Sequence, residues 1–120
     1  MSTLITANVS DGTDTVGTEY VVHGSAKAWV NFFGGTPLSV RNSFNASSIS
    51  DNGVGDYLTN YVNSFSAADY ACSTAAYSRS RGNAMSWPSN ASSSVNRIYN
   101  DAGVVIDSAV VQATSHGDLA

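Results

Sequence analysis

The run from Ala26 to Phe33 constrains the fold more than any other part of the chain. Ala26, Ala28, Val30 and Phe32 alternate strictly with Lys27, Trp29, Asn31 and Phe33. A period of two puts successive side chains on opposite faces of a strand. The first face is wholly apolar and is expected to meet a core. The second sets Trp29 and Phe33 beside Lys27 and Asn31, a mixed face expected to be covered by another subunit, the alternative being a loop of the same chain, such as Ser78 to Ser94, folded over Trp29. A strand with such faces needs neighbours, because an isolated pair of strands is only marginally stable in water. Composition points the same way. Val outnumbers Leu by 13 to 4 and Glu19 is the only glutamate, whereas helices favour Leu, Glu and Lys. The chain is therefore expected to be all-β: one antiparallel β-sandwich, jelly-roll-like, of about eight strands, forming a single domain over residues 1–120.

The remaining segments supply the other strands. Leu4 to Val9, Glu19 to His23, Leu38 to Phe44, Tyr57 to Val62, Asp69 to Tyr77, Val95 to Tyr99 and Val104 to Ser115 all read as extended. In the third of these, Leu38, Val40, Asn42 and Phe44 are expected on one side. Asn45 to Ser50 continues extended into a hairpin loop, Asp51 to Asp56, where Gly53 or Gly55 is expected at positive φ. Ser78 to Ser94, rich in Ser, Asn, Gly and Arg, reads as a long loop or a short irregular hairpin, and long loops in compact domains are commonly functional or mobile. The 20 Ser, 9 Thr and 11 Asn, a third of the chain, are expected mainly on outer faces.

Charge excludes several classes of function. Five Lys and Arg against nine Asp and Glu give a net charge of -4. A nucleic-acid binder needs clustered cations to displace counterions, and a membrane-surface helix needs a basic face. No apolar run approaches the roughly 20 residues that span a bilayer, and the start, Met1 to Ile5, lacks the pattern of a secretory signal. A lone cysteine, Cys72, excludes an internal disulfide framework and a cysteine-rich zinc site, and is expected to be a buried thiol. No cofactor or metal is expected.

Catalytic signals are sparse. His23 and Ser25 would share one side of a strand, without an orienting acid or an oxyanion hole. His116 reads as a solvent-facing or interfacial residue near the end of the sequence. Asp51 to Asp56 has the oxygen-rich look of a calcium loop but lacks the distal glutamate. No spaced pair of acids suits glycoside hydrolysis, so a glycan-degrading enzyme is the remote alternative. The Asn-x-Ser patterns at Asn8, Asn45 and Asn90 matter only in a secretory setting. Trp87, with Arg79 and Arg81 on the same loop and Tyr77 at its start, forms the candidate partner- or receptor-binding group, suited to stacking on sugar rings of a cell-surface glycan. Trp29, Phe33 and Lys27 form the candidate oligomer interface.

Two stretches resemble a known family. Gly24-Ser25-Ala26-Lys27-Ala28-Trp29-Val30-Asn31-Phe32 and the run Val40-Arg41-Asn42-Ser43-Phe44-Asn45-Ala46-Ser47-Ser48-Ile49-Ser50-Asp51-Asn52-Gly53-Val54-Gly55-Asp56-Tyr57 are similar to a family of marine and cyanobacterial tailed phages labelled as tail fibre or virion structural proteins. Phe65 to Ala71 and the ending Gly117-Asp118-Leu119-Ala120 extend the likeness, and residues 78–100 depart from it. The resemblance implies a non-enzymatic knob or fibre tip at the virion surface, assembled in the host cytoplasm and contributing to host attachment. Its partners would be its own copies, as a homotrimer, and other virion proteins of the tail, baseplate or capsid. With Met1 at its start and no shaft, the module is expected to stand alone, so a capsid decoration or cement protein is the alternative.

Overall fold

The computed structural model describes residues 1–77 and 83–120. The alternating run is β3 (Ala26–Phe33), and its apolar face is buried at Ala28, Val30 and Phe32. Before it come β1 (Asn8–Ser10), β2 (Thr15–Gly17) and a short helix α1 (Thr18–Gly24). After it come β4 (Ser39–Phe44), β5 (Ala46–Gly53), β6 (Asp56–Tyr61), β7 (Ala71–Tyr77), β8 (Asn83–Asn90), β9 (Ser93–Tyr99) and β10 (Val110–His116). Strands β3 to β10 build two four-stranded antiparallel sheets, ordered β4-β3-β10-β7 and β5-β6-β9-β8, while β1 and β2 pair only with each other.

The sheets bury their inner faces against one another, as in a β-sandwich. Val30, Phe32, Val111 and Ala113 of the first sheet meet Tyr57 and Ile98 of the second, with Phe32 and Tyr57 edge to face at 5.1 Å. A second cluster joins Ala28, Tyr61, Phe65 and Tyr70, where Phe65 stacks on Tyr70 at 4.1 Å. With so few large aliphatic residues, aromatic rings supply the core volume. Small polar residues supply more of it than the sequence suggests. Asn96 is fully buried; its Nδ2 donates to Thr59 Oγ1 and its Oδ1 accepts from Thr74 Oγ1, both at 2.7 Å. The Tyr61 hydroxyl lies 2.8 Å from Ser94 Oγ and 2.7 Å from Ser115 Oγ. These groups enter the interior because each finds a partner there.

Several local expectations are corrected. Glu19 to His23 is helical, not extended: among the described residues no strand pairs with it, Glu19 sits in the first turn where the helix dipole favours an acid, and the Ser25 hydroxyl closes the last turn on Val21 O at 2.6 Å. The first strand shrinks to Asn8–Ser10, and the last starts at Val110 rather than Val104. Of the two readings of 78–94 the long loop gives way to an irregular hairpin: β8 is paired along β9 from Asn83 to Asn90, with a register shift between Pro88 and Asn90; residues 78–82 lie outside the described residues. In β4 a bulge interrupts the alternation, so that Val40 pairs with buried Phe32 while Phe44 pairs with outward-facing Trp29. Cys72 is only half-buried.

Between β4 and β5 the chain passes from one sheet to the other through a single residue, Asn45, at φ +56°. Asparagine tolerates this left-handed conformation better than most residues. Its Nδ2 donates to Lys27 O and Asn63 O at 3.1 Å, and its Oδ1 accepts from Asn63 N at 2.7 Å. The corner is thus tied to the first residues of β3 and to the segment after β6. Asn45→Ala loses all three bonds and strains the backbone, for an expected cost of about 2 kcal/mol. Asn45→Gly keeps the conformation and loses only the bonds. Urea unfolding should rank wild type above Gly and Gly above Ala; equal stability of the two variants would remove the strain at this corner.

Candidate functional site

The outer faces of the two sheets hold the candidate residues. On the β4-β3-β10-β7 sheet, Trp29 stands opposite Phe44 on one side and Thr114 on the other. Trp29 is 37% exposed and Phe44 56%. Asn31, Asn42 and Gln112 form the next row of this face. Arg41 lies over the Phe33 ring at 5.9 Å, donating to Asn31 Oδ1 at 3.3 Å and to Ala109 O at 2.7 Å. Lys27 donates to Ser25 O at 3.0 Å where the strand begins. The proposed interface group Trp29, Phe33 and Lys27 therefore shares one face, and the structure adds Phe44 and Arg41 to it. A shallow groove along this face runs between Trp29 and Thr114. β8 belongs to the opposite sheet and does not fold over Trp29.

The outer face of the β5-β6-β9-β8 sheet carries Trp87. Trp87 is half-buried in β8 rather than carried on a loop, and it stands opposite Val95, which in turn stands opposite Leu58. The adjacent row is Met85, Arg97 and Asp56. Arg97 Nη2 donates to Asp56 Oδ2 at 2.7 Å, and the guanidinium lies over the Trp87 ring at 5.2 Å. The bond to Asp56 holds the Arg97 pKa above its ordinary value. Trp87 thus sits in a cation–π contact, which fixes the ring while leaving part of it open. Tyr77 ends β7 with its side chain exposed, and its carbonyl accepts from the Ser108 hydroxyl. Arg79 and Arg81, the other members of the proposed receptor group, lie outside the described residues. The sequence reading missed Arg97; only the register of β8 on β9 brings it to Trp87.

His23 and Ser25 do not share a strand face. His23 Nδ1 instead lies 2.6 Å from Asp118 Oδ1, both side chains being more than half exposed. The pair latches α1 to the segment after β10, beside a cavity of about 370 Å³ that Ser66, Asp69 and Tyr70 also line. His116 ends β10, half-buried, opposite Ala26 and Ala71. Among the described residues no group of three His, Cys, Asp or Glu is placed to hold a metal, and no helix is long and apolar enough to cross a membrane. Comparison with family models, curated proteins and solved structures found no match to the chain.

Proposed function

We propose that the chain is a non-enzymatic structural protein of a tailed-phage particle: a surface fibre or fibre-tip knob, homotrimeric, that contributes to host attachment. The observation that carries this reading is the outer face of the β4-β3-β10-β7 sheet. Trp29 and Phe44 stand together there in water, and large exposed aromatics on a sheet face suit protein contact. The resemblance of Gly24 to Tyr57 to phage fibre and virion proteins supplies the setting. The second sheet leaves Trp87 and Met85 facing outward beside Arg97, a surface suited to a cell-surface glycan or a neighbouring virion protein.

Capsid decoration is the second reading, favoured by the unburied first 25 residues, which suit a clasp on a shell. Quantitative mass spectrometry of purified particles separates the two. Copy number on the scale of the fibres supports the knob, and copy number on the scale of the shell subunits supports decoration. Absence from the particle refutes both. In particles carrying Trp87→Ala at normal copy number, adsorption to host cells should fall; unchanged adsorption would remove Trp87 from the attachment surface.

A further inference from the structure

No residue from Met1 to Ser25 is buried. The hairpin of β1 and β2, the seven-residue helix α1 and the segment before them nevertheless carry Leu4, Ile5, Val9, Val16, Tyr20, Val21 and Val22, all exposed, with Tyr20 at 69%. Isolated helices this short, and isolated two-stranded hairpins, are marginal in water. The described ion pair joining this arm to the sandwich is His23 with Asp118. The chain is correspondingly extended. Its radius of gyration is 16.4 Å, against about 14 Å for a compact chain of this length. Its accessible surface is 7252 Å², against roughly 6,200 Å² for a compact monomer of its mass. The surplus of about 1,000 Å² matches the roughly 800 Å² that each partner gives to a standard interface.

Charge identifies what covers the arm. Its charged side chains are Asp11, Asp14 and Glu19, with no Lys or Arg. The four strands of the β4-β3-β10-β7 sheet contain no Asp or Glu; their charged residues are Lys27 and Arg41. That sheet also exposes Trp29 and Phe44, which the arm of the same chain leaves uncovered. An acidic, apolar arm and a basic, aromatic face are complementary. We propose that residues 1–24 of one copy dock on the outer face of the β4-β3-β10-β7 sheet of a second copy. Each copy gives an arm and receives one, a head-to-tail contact that closes into a ring. The inference rests on the homo-oligomer reading above and names the partner of the Trp29 face.

Complementation tests it on the full chain by light scattering at micromolar concentration. Wild type should exceed the monomer mass of 12.5 kDa. Val21→Asp/Val22→Asp, which spoils the arm, and Trp29→Asp/Phe44→Asp, which spoils the sheet face, should each scatter as monomers with near-ultraviolet circular dichroism of a folded sandwich. Mixed together, the first supplies an intact sheet and the second an intact arm, so a species of twice the monomer mass should appear. Where the aromatic variant folds poorly, Thr114→Glu places an acid on the same face, opposite Trp29, where it repels the acidic arm. A monomeric wild type would overturn both the oligomer and the arm. An oligomeric wild type whose arm variant keeps the same mass would overturn the arm alone. A mixture that stays monomeric would overturn arm-on-sheet docking.

Discussion

Gly55→Ala is expected to cost on the order of 3–4 kcal/mol, a large fraction of the 5–15 kcal/mol that stabilises a domain. Gly55 lies at φ +63° in the turn between β5 and β6, where a side chain costs about 1–2 kcal/mol by itself. The surroundings add more. A Cβ there would come within 2.5 Å of Ile106 O, 2.7 Å of Ile106 N and 2.8 Å of Ile98 O, all backbone atoms. None of them can swing aside as a flexible side chain would. Gly55 O accepts from Ile98 N at 2.9 Å, Gly55 N donates to Asp107 Oδ1 at 2.9 Å, and Ile106 N donates to Ile98 O at 3.0 Å. Moving the backbone to admit a methyl group breaks this set, which locks the turn to β9 and to the chain leading into β10. Gly53, at φ +140°, has nothing within 4 Å of its Cβ position. Gly53→Ala should therefore cost only about 1–2 kcal/mol, from backbone strain alone. Urea unfolding of the two variants checks the contrast, and equal losses would mean that the Ile98 and Ile106 backbones do not pin Gly55.

A positive-φ glycine at Gly53 or Gly55 was legible from the loop Asp51 to Asp56, where both turn out to take one, and so was the burial of Ala28, Val30 and Phe32 from the alternation in β3. Both signals are local: a turn needs particular dihedrals, and a half-buried strand needs period two. Where the outcome depended on a neighbour, the sequence was silent or misleading. The side taken by Phe44 depends on a bulge in β4, and nothing in Ser39 to Phe44 announces where a residue will be skipped. β8 was obscured by its Ser, Asn and Pro. It nevertheless alternates, with Met85 outward and Ala84 and Ser86 on the other side, and Pro88 is tolerated because β8 is an edge strand. Tyr20-Val21-Val22 has strand propensity but pairs with no strand among the described residues, and it forms a helix whose last turn the Ser25 hydroxyl closes. The buried place of Asn96 was hidden altogether, since Thr59 and Thr74, which satisfy it, lie far away in sequence on other strands. Of the candidate site, Trp29 and Trp87 were visible as surface aromatics. Their companions Phe44 and Arg97 are set by register, which periodicity does not encode.

Two buried phenols give the second large effect, and it depends on pH. Tyr57 is wholly buried; its hydroxyl donates to Asp107 Oδ1 at 2.8 Å and also meets Gly34 O. Tyr70 is nearly buried, its hydroxyl donating to Asn90 O at 3.0 Å and to Ser93 O. Burial raises both phenol pKa values well above the ordinary range, with a further push from the Asp107 carboxylate on Tyr57 and from the Tyr61 phenol on Tyr70. Burial also raises the Cys72 thiol, partly offset by a hydrogen bond from Ser86. Unfolded chains lose tyrosine protons near pH 10, while the folded chain keeps these two. Above that pH the unfolded state therefore binds fewer protons, and stability falls as pH rises. The contribution is complete below about pH 10 and is withdrawn above it, at about 2.7 kcal/mol per pH unit when both phenols count. Cys72 adds in the same direction from a lower pH. A protein of ordinary stability loses most of its margin within about two to three pH units at that slope. Tyr57→Phe should halve the slope to about 1.4 kcal/mol per pH unit. It should also cost about 1–3 kcal/mol at neutral pH, by removing the phenol donor from Gly34 O and from Asp107 Oδ1, which keeps only Gly55 N. Urea unfolding repeated at a series of alkaline pH values, with tyrosinate absorbance followed in parallel, measures both quantities. A wild-type stability that stays flat above pH 10, or a Tyr57→Phe slope equal to that of wild type, would show that these phenols do not keep their protons in the folded chain.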